Sequence, residues 1–259
     1  MLGEFQIWRN HLSIRANEWK SHKEKTLLKI LLVHRDHVIL QDQLIELLWP
    51  DVRYSAALNN LWVTISNLRR LLEPALRKPS DSQMILSQPS GYKLTTSGTV
   101  RLDIDDFSAQ VAAGNELCER GQFHAALIAY RAAQALYTGD FLAEDRYEEW
   151  TLTKRLELSQ EHLHLLKTMA ECHMTLEQYQ QALSPLLKIL TLQPCWETIW
   201  RKVMLCHWLS GERDQALFAF DRCREILKKQ LKVPPMSSTL ELRDRILRGE
   251  LASPQYSLK

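Results

Sequence analysis

The sequence is short of the features that announce an extracellular, membrane or catalytic protein. Its five cysteines, Cys118, Cys172, Cys195, Cys206 and Cys223, are odd in number and show no C-x-x-C spacing. They fall in segments of helical period, the pattern of buried structural thiols rather than of a disulfide framework or a metal site. No apolar run approaches the roughly 18 uncharged residues of a membrane span, and the N-terminus lacks the basic, apolar, small-residue order of a signal peptide. A cytoplasmic protein without membrane contact is therefore expected. No G-x-x-x-x-G-K-[ST] phosphate loop, G-x-S-x-G elbow or H-E-x-x-H pair occurs. His34-Arg35-Asp36-His37 has the form of a kinase catalytic loop, but no glycine-rich loop or Asp-Phe-Gly accompanies it. His162 and His164, two apart on a predicted helix, point away from each other and cannot share a metal. These absences argue against an enzyme, a cofactor and a metal.

Charge of one sign is also scarce. Lys and Arg number 33 against 31 Asp and Glu, a net charge of +2. The balance is uneven: the first hundred residues carry 13 cations against 9 anions and the remainder 20 against 22. That asymmetry directs weak electrostatic attraction for nucleic acid to the first part of the chain. With 45% hydrophobic and 25% charged residues the chain reads as globular and long enough for two domains.

What is present is a sequence of elements. Glu4–Trp8 and His11–Ile14 alternate around a polar turn and predict a strand pair. Ser21, with Glu24 three residues on, makes a capping box for a helix running through Leu27, Leu28, Leu31 and Leu32 toward His34. A shorter helix spans Gln41–Trp49 and ends at Pro50. A long one spans Ser55–Glu73 and stops before Pro74. Its residues Leu58, Leu61, Ile65, Leu68 and Leu72 form one apolar stripe, and Asn59, Val63, Ser66, Asn67 and Arg70 lie opposite. Met84–Leu86 and Tyr92–Leu94 predict a hairpin with Ser90-Gly91 beside its turn. Strands, three helices and a hairpin in this order read as a winged helix.

From Asp105 onward the chain predicts helix after helix, broken at Gly114, Gly121, Gly139, Pro194, Gly211 and Pro234-Pro235. Tyr179-Gln180-Gln181-Ala182-Leu183 and Arg213-Asp214-Gln215-Ala216-Leu217 are offset by 34 residues, the tetratricopeptide period, and Gly121–Leu127 supplies a third copy upstream. Stacked helix pairs bury a continuous core and leave a concave surface for partners. Trp196, Trp200 and Trp208 near the repeats are expected to pack between stacked helices.

With these features assembled, the chain resembles the bacterial antibiotic regulatory protein family, in which an OmpR-like winged helix precedes a bacterial transcriptional activation domain. The first domain matches through Leu44-Ile45-Glu46-Leu47-Leu48-Trp49-Pro50, Asn59-Asn60-Leu61, Ile65-Ser66, Leu68 to Pro74, and Gly91-Tyr92. The second matches through Asp105-Phe107, Tyr137, Gly139-Asp140-Phe141-Leu142, Trp150, Arg155, Val233-Pro234-Pro235 with Ser237, and Gly249-Glu250. The resemblance implies a mainly α chain: an α+β winged helix-turn-helix over residues 1–100, helical repeats over 101–251, and a flexible tail over 252–259. It also implies a transcriptional activator that binds double-stranded DNA at direct repeats near a promoter as a homodimer, with RNA polymerase as partner. Trp62 and Asn67 stand where such families place arginines, and Gln88-Pro89 replaces a basic wing residue, which removes phosphate contacts.

On a helical wheel Arg70 lies about 180° and Asn59 about 160° from Leu61, so both reach a groove edge if this helix docks as recognition helices do. The amides of Asn59, Asn60 and Asn67 suit adenine, and Arg70 suits guanine or phosphate. Val63 and Ser66 share that face. Trp62 and Arg69 flank the stripe at about 100° and 80°. Arg69 is expected on phosphate, whereas Trp62 fits packing against the hairpin, a sugar, or a partner subunit. Ser90 and Lys93 are expected to bind backbone from the wing; Lys23, Lys25 and Lys29 are expected on a solvated helix face. The competing reading is a protein-protein adaptor whose winged helix no longer binds DNA.

Overall fold

The computed structural model describes residues 1–9, 11–96 and 100–250, so the tail expected from Ala252 lies outside them. The chain divides into two compact units, one formed by Met1–Asp106 with Thr138–Glu157, the other by Phe107–Tyr137 with the chain from Leu158 onward. The architecture is mainly helical, a winged helix-turn-helix followed by tetratricopeptide-like helix pairs.

In the first unit β1 (Trp8–Arg9) and β2 (Leu12–Ser13) form an antiparallel pair shorter than the predicted runs. α1 (His22–Val33) begins at Ser21, whose hydroxyl accepts the Glu24 amide at 3.2 Å. The Glu24 carboxylate closes the turn one residue further back than the capping box requires, on the Lys20 amide at 2.7 Å. β3 (Val38–Leu40), which the sequence pattern did not announce, leads directly into α2 (Gln41–Leu48). α3 (Tyr54–Leu72) is the long helix, and β4 (Ile85–Gln88) and β5 (Gly91–Leu94) form the wing around a two-residue turn, Pro89-Ser90. The sheet order is β3-β5-β4, antiparallel throughout, with Tyr92 between Ile39 and Ser87. The three helices bury Leu27, Leu31, Leu44, Leu48, Leu61 and Leu68, each no more than 1% exposed. That shared apolar volume fixes the angle at which α3 is presented.

Thr138–Glu157 completes this unit. Phe141 and Leu142 are fully buried, the Gly3 amide donates to the Asp140 carbonyl at 3.0 Å, and the Leu142 amide donates to the Met1 carbonyl at 2.9 Å. Arg155 donates to the carbonyls of Phe141, Asp145 and Arg146 at 3.1, 3.0 and 2.7 Å, holding a turn in which Leu142 takes a left-handed φ of 46°. The same segment corrects the expectation for the lysines. Lys29 is 1% exposed, not solvated, and its ammonium lies 2.5 Å from Asp145 and 3.1 Å from Glu144, with the Phe5 ring centroid at 5.1 Å. Lys25 pairs with Glu144 at 2.9 Å, and Lys23 alone stays on an open face. A buried ammonium is tolerated only because carboxylates meet it.

The second unit draws on α4 (Asp103–Glu119), α5 (Phe123–Leu136), α6 (Glu149–Thr175), α7 (Tyr179–Leu192), α8 (Glu197–Leu209), α9 (Arg213–Gln230) and α10 (Ser237–Arg248). α4 and α6 contribute residues to both units. Three helix pairs share one turn: Gln122, Gln178 and Glu212 donate their amides to the carbonyls of Leu117, His173 and His207 at 2.9, 2.8 and 2.9 Å. The residue before each donor is left-handed, Gly121 at φ 72°, Glu177 at 57° and Gly211 at 81°. Ala126, Ala182 and Ala216 follow at the same offset and are fully buried, the small side chain letting paired helices approach. Gly114 does not break a helix: it lies inside α4, where an added Cβ would stand 2.4 Å from the Tyr130 ring. Trp200 is buried with its indole donating to the Pro194 carbonyl at 2.8 Å, and Trp196 and Trp208 pack half-buried against the same core.

Candidate nucleic-acid interface

α3 carries a buried side centred on Ala57, Leu61, Thr64, Ile65, Leu68 and Leu71 and an opposite side open to solvent. On that open side Asn59, Asn60, Val63 and Arg70 are exposed, and Ser66 and Asn67 are half-buried. Ala56, Asn59, Val63, Ser66 and Arg70 fall on one line at helical spacing, so a single groove wall can meet amide, apolar, hydroxyl and guanidinium groups together. Trp62 at 51% and Val63 at 60% exposure are large apolar groups for a solvated helix, and neither is covered by the hairpin.

The elements around α3 set where it starts. The Tyr54 hydroxyl donates to Asp42 at 2.7 Å, tying the first residue of α3 to α2; that bond pushes the phenol's pKa up. Arg53, just ahead of the helix, is exposed beside the amides of its first turn, which carry the positive end of the helix dipole. Sequence reasoning passed over Arg53 because it precedes the apolar stripe. Its signal is the first-turn position, where phosphates meet helix N-termini.

The wing is anchored by side chains that the sequence assigned elsewhere or did not weigh. Arg69, expected on phosphate, is 8% exposed. Its guanidinium donates to the Ile85 carbonyl at 3.0 and 2.7 Å and to the Ser87 hydroxyl at 2.9 Å. Burial draws its pKa below the ordinary guanidinium value, with Tyr92 and Glu73 acting in the opposite direction. Its position on the flank of α3 turns it toward β4, so it fastens helix to wing and is not available to DNA. Glu73, at the end of α3, accepts the Gln83 amide at 3.0 Å and the Ser82 hydroxyl, and Ser82 in turn accepts the Ile85 amide at 3.0 Å. On the other edge the Gln41 amide donates to the Ser90 carbonyl at 3.0 Å. Gly91 is required there by close approach: an added Cβ would stand 1.9 Å from the Ile39 carbonyl oxygen.

Ser90 lies exposed in the wing turn, and Lys93 is half-buried on β5 opposite Val38. Between wing and helix starts runs a cleft of about 460 Å³ lined by Gln41, Asp42, Tyr54, Gln88 and Ser90 among others, with hydroxyl and amide groups but no cation. The structure thus gathers Asn59, Asn60, Val63, Ser66, Asn67 and Arg70 on one face with Trp62 at its flank, puts Ser90 at the wing tip, and removes Arg69 to the interior. Arg53, just ahead of α3, and Arg70, on its open side, are exposed arginines.

Known proteins resemble this chain in sequence and in fold. Residues 102–247 match the family described as Bacterial transcriptional activator domain, and residues 18–94 match Transcriptional regulatory protein, C terminal. Transcriptional regulatory protein MoaR1 of Mycobacterium tuberculosis is 26% identical over 227 residues, covering 87% of this chain and 72% of that protein. Regulatory protein DnrI of Streptomyces peucetius is 25% identical over 253 residues, 96% of this chain and 92% of that protein. Among solved structures, Mycobacterium tuberculosis EmbR, determined with a low-affinity phosphopeptide, superposes with a TM-score of 0.80 at 24% identity. That likeness of fold covers 97% of this chain, which spans 65% of the EmbR chain, just under two thirds.

Proposed function

The chain belongs to the bacterial antibiotic regulatory protein family, whose members are transcriptional regulators and not enzymes, and from that premise we propose that it is a sequence-specific DNA-binding activator. α3 enters the major groove with Asn59, Asn60, Val63, Ser66, Asn67 and Arg70 toward base edges. Arg53 and the first-turn amides meet phosphate at one end of the helix, and Ser90 and Lys93 meet the adjacent backbone from the wing. Two protomers occupy direct repeats near a promoter, and the helical repeat unit serves protomer or RNA polymerase contacts. The observation that carries this reading is the single exposed line of amide, apolar and guanidinium side chains on α3, beside a wing fixed to the same helix by Arg69.

Few cations on the proposed contact face, Arg53, Arg70 and Lys93, mean few released counterions, so affinity falls with salt on a shallow slope of about 3 per protomer in log–log terms. Fluorescence anisotropy against DNA from upstream of the chain's own gene, over a salt series, tests this. Saturable, sequence-preferring binding that weakens with salt and is lost in a folded Asn60→Ala/Arg70→Ala variant is the expected result. Absence of any sequence preference at low salt would overturn it and favour the protein-protein adaptor, a reading that the exposed indole of Trp62 supports.

A further inference from the structure

Five free cysteines are present, and two of them, far apart in sequence, meet. Cys118 at the end of α4 and Cys172 near the end of α6 place their sulfurs 3.5 Å apart, 54 residues separating them along the chain. Cys172 is buried and Cys118 is half-buried. The setting is rigid. Tyr130 of α5 is fully buried, donates its hydroxyl to Asn115 at 2.8 Å, and packs its ring where Gly114 leaves no room for a side chain. The last turns of α4 and α6 are therefore held in place when the thiols meet, and no helix has to unfold to bring them together.

We propose that Cys118 and Cys172 form a reversible oxidation site that takes hydroperoxides and closes to a disulfide. Cys118 is the attacking sulfur, because it is the one with a solvent-facing surface. Its thiolate attacks one oxygen of hydrogen peroxide, the O–O bond breaks, and Cys118 becomes a sulfenic acid while the second oxygen leaves as water after taking a proton. The Cys172 sulfur then attacks the sulfenic sulfur, the S–O bond breaks, and the sulfenic oxygen leaves as water with the Cys172 proton. Two thiols and one peroxide give one disulfide and two waters. The two electrons lost by the sulfur pair reduce the peroxide.

The surroundings set the speed. Burial, together with the hydrogen bond to Cys118, pushes the Cys172 thiol up to about 12, so this sulfur is a slow attacker that relies on being already in contact. A pair of this kind stays reduced through ordinary turnover of low peroxide and closes under sustained exposure. Once closed, the bond staples α4 to α6 and constrains a 54-residue loop in the unfolded chain.

The test uses the full chain, treated with hydrogen peroxide and then alkylated. The expected result is a mass loss of about 2 Da, a crosslinked peptide containing Cys118 and Cys172, full reversal by dithiothreitol, and a thermal midpoint raised by roughly 5–10 °C in the oxidised form. Cys118→Ser abolishes all four, while Cys195→Ser, at a half-exposed thiol outside the pair, leaves them unchanged. The Cys118 substitution is the decisive one because its site is half-buried, and circular dichroism confirms the fold; Cys172→Ser is secondary because it alters a buried position. A crosslink between any other pair, irreversible sulfinic acid at Cys118 without a crosslink, or no oxidation at all would each overturn the proposal.

Discussion

Arg69 and Arg70 are neighbours in sequence with opposite surroundings, and the difference is measurable. Arg69 spends its donors on the Ile85 carbonyl and the Ser87 hydroxyl inside the fold. Removing it leaves a buried acceptor unpaired, so Arg69→Ala is expected to cost about 2 kcal/mol in urea unfolding. The exposed Arg70 makes no such bond, and Arg70→Ala is expected to leave stability within about 0.5 kcal/mol while lowering the salt slope of DNA binding by about 1. A stability loss confined to Arg70→Ala would reverse the assignment. A second residue acts through pH. His173 is buried with Nδ1 2.8 Å from the Gln178 side-chain oxygen, and burial holds its pKa below the ordinary 6.5. The folded state therefore prefers the neutral ring, and the unfolded chain binds the proton first. The contribution is fully present above the unfolded value of 6.5 and is lost as pH falls through the lower folded value. His173→Gln should show a smaller loss of stability between pH about 7.5 and about 5.5 than the parent chain, as read by chemical denaturation at both values.

At the scale of elements, the turns decide which substitutions the fold accepts. The three helix-pair turns have the same hydrogen bond and the same left-handed residue, yet one of them holds Glu177 where the others hold Gly121 and Gly211. Glu177→Gly removes the steric cost of that conformation and is expected to raise stability by up to about 1 kcal/mol, less the entropy glycine returns to the unfolded chain. Gly91→Ala is the converse. Its Cβ would collide with the Ile39 carbonyl, so β3 must leave β5 and the wing loses its root, which DNA affinity and thermal melting would both register. These elements also show what the sequence made legible. Helices α1, α2 and α3 and the repeat pairs could be read from apolar period and caps, because those signals are local. β3 could not, since three residues carry too little period and their partners, Gly91 to Lys93, come some fifty residues later. The outward residues of α3 were legible as a face. Arg69 was not, because a flank position looks the same on a wheel whether phosphate or a strand lies beside it. Glu73 stood within the matched motif, but its role as the wing's clasp depends on Ser82 and Gln83, which only the fold brings near.

At the scale of the whole molecule, the first unit is not closed by the first hundred residues. Asp140, Phe141, Leu142, Glu144 and Asp145 belong to it, and they supply backbone partners for Met1 and Gly3 and both carboxylates that meet Lys29. This dependence was invisible in the sequence because the Lys29 and Asp145 pair spans 116 positions. It has a consequence that changes sign with context. In the full chain, Lys29→Met leaves Asp145 without its cation at a buried site, and a loss of roughly 3–5 kcal/mol is expected, as when one partner of a buried pair is removed. In a fragment comprising residues 1–100 the carboxylates are gone, and the parent lysine is the uncompensated charge. That fragment should unfold at lower urea than the first transition of the full chain, since a penalty of that size is a large share of the roughly 5–15 kcal/mol that holds a domain together. There Lys29→Met removes the stranded ammonium and keeps the apolar stem's volume, so the same substitution stabilises. Urea unfolding of the four proteins, full chain and fragment with Lys or Met at position 29, reads the two signs directly. If methionine shifts both midpoints in the same direction, the pair does not join Thr138–Glu157 to the winged helix in solution.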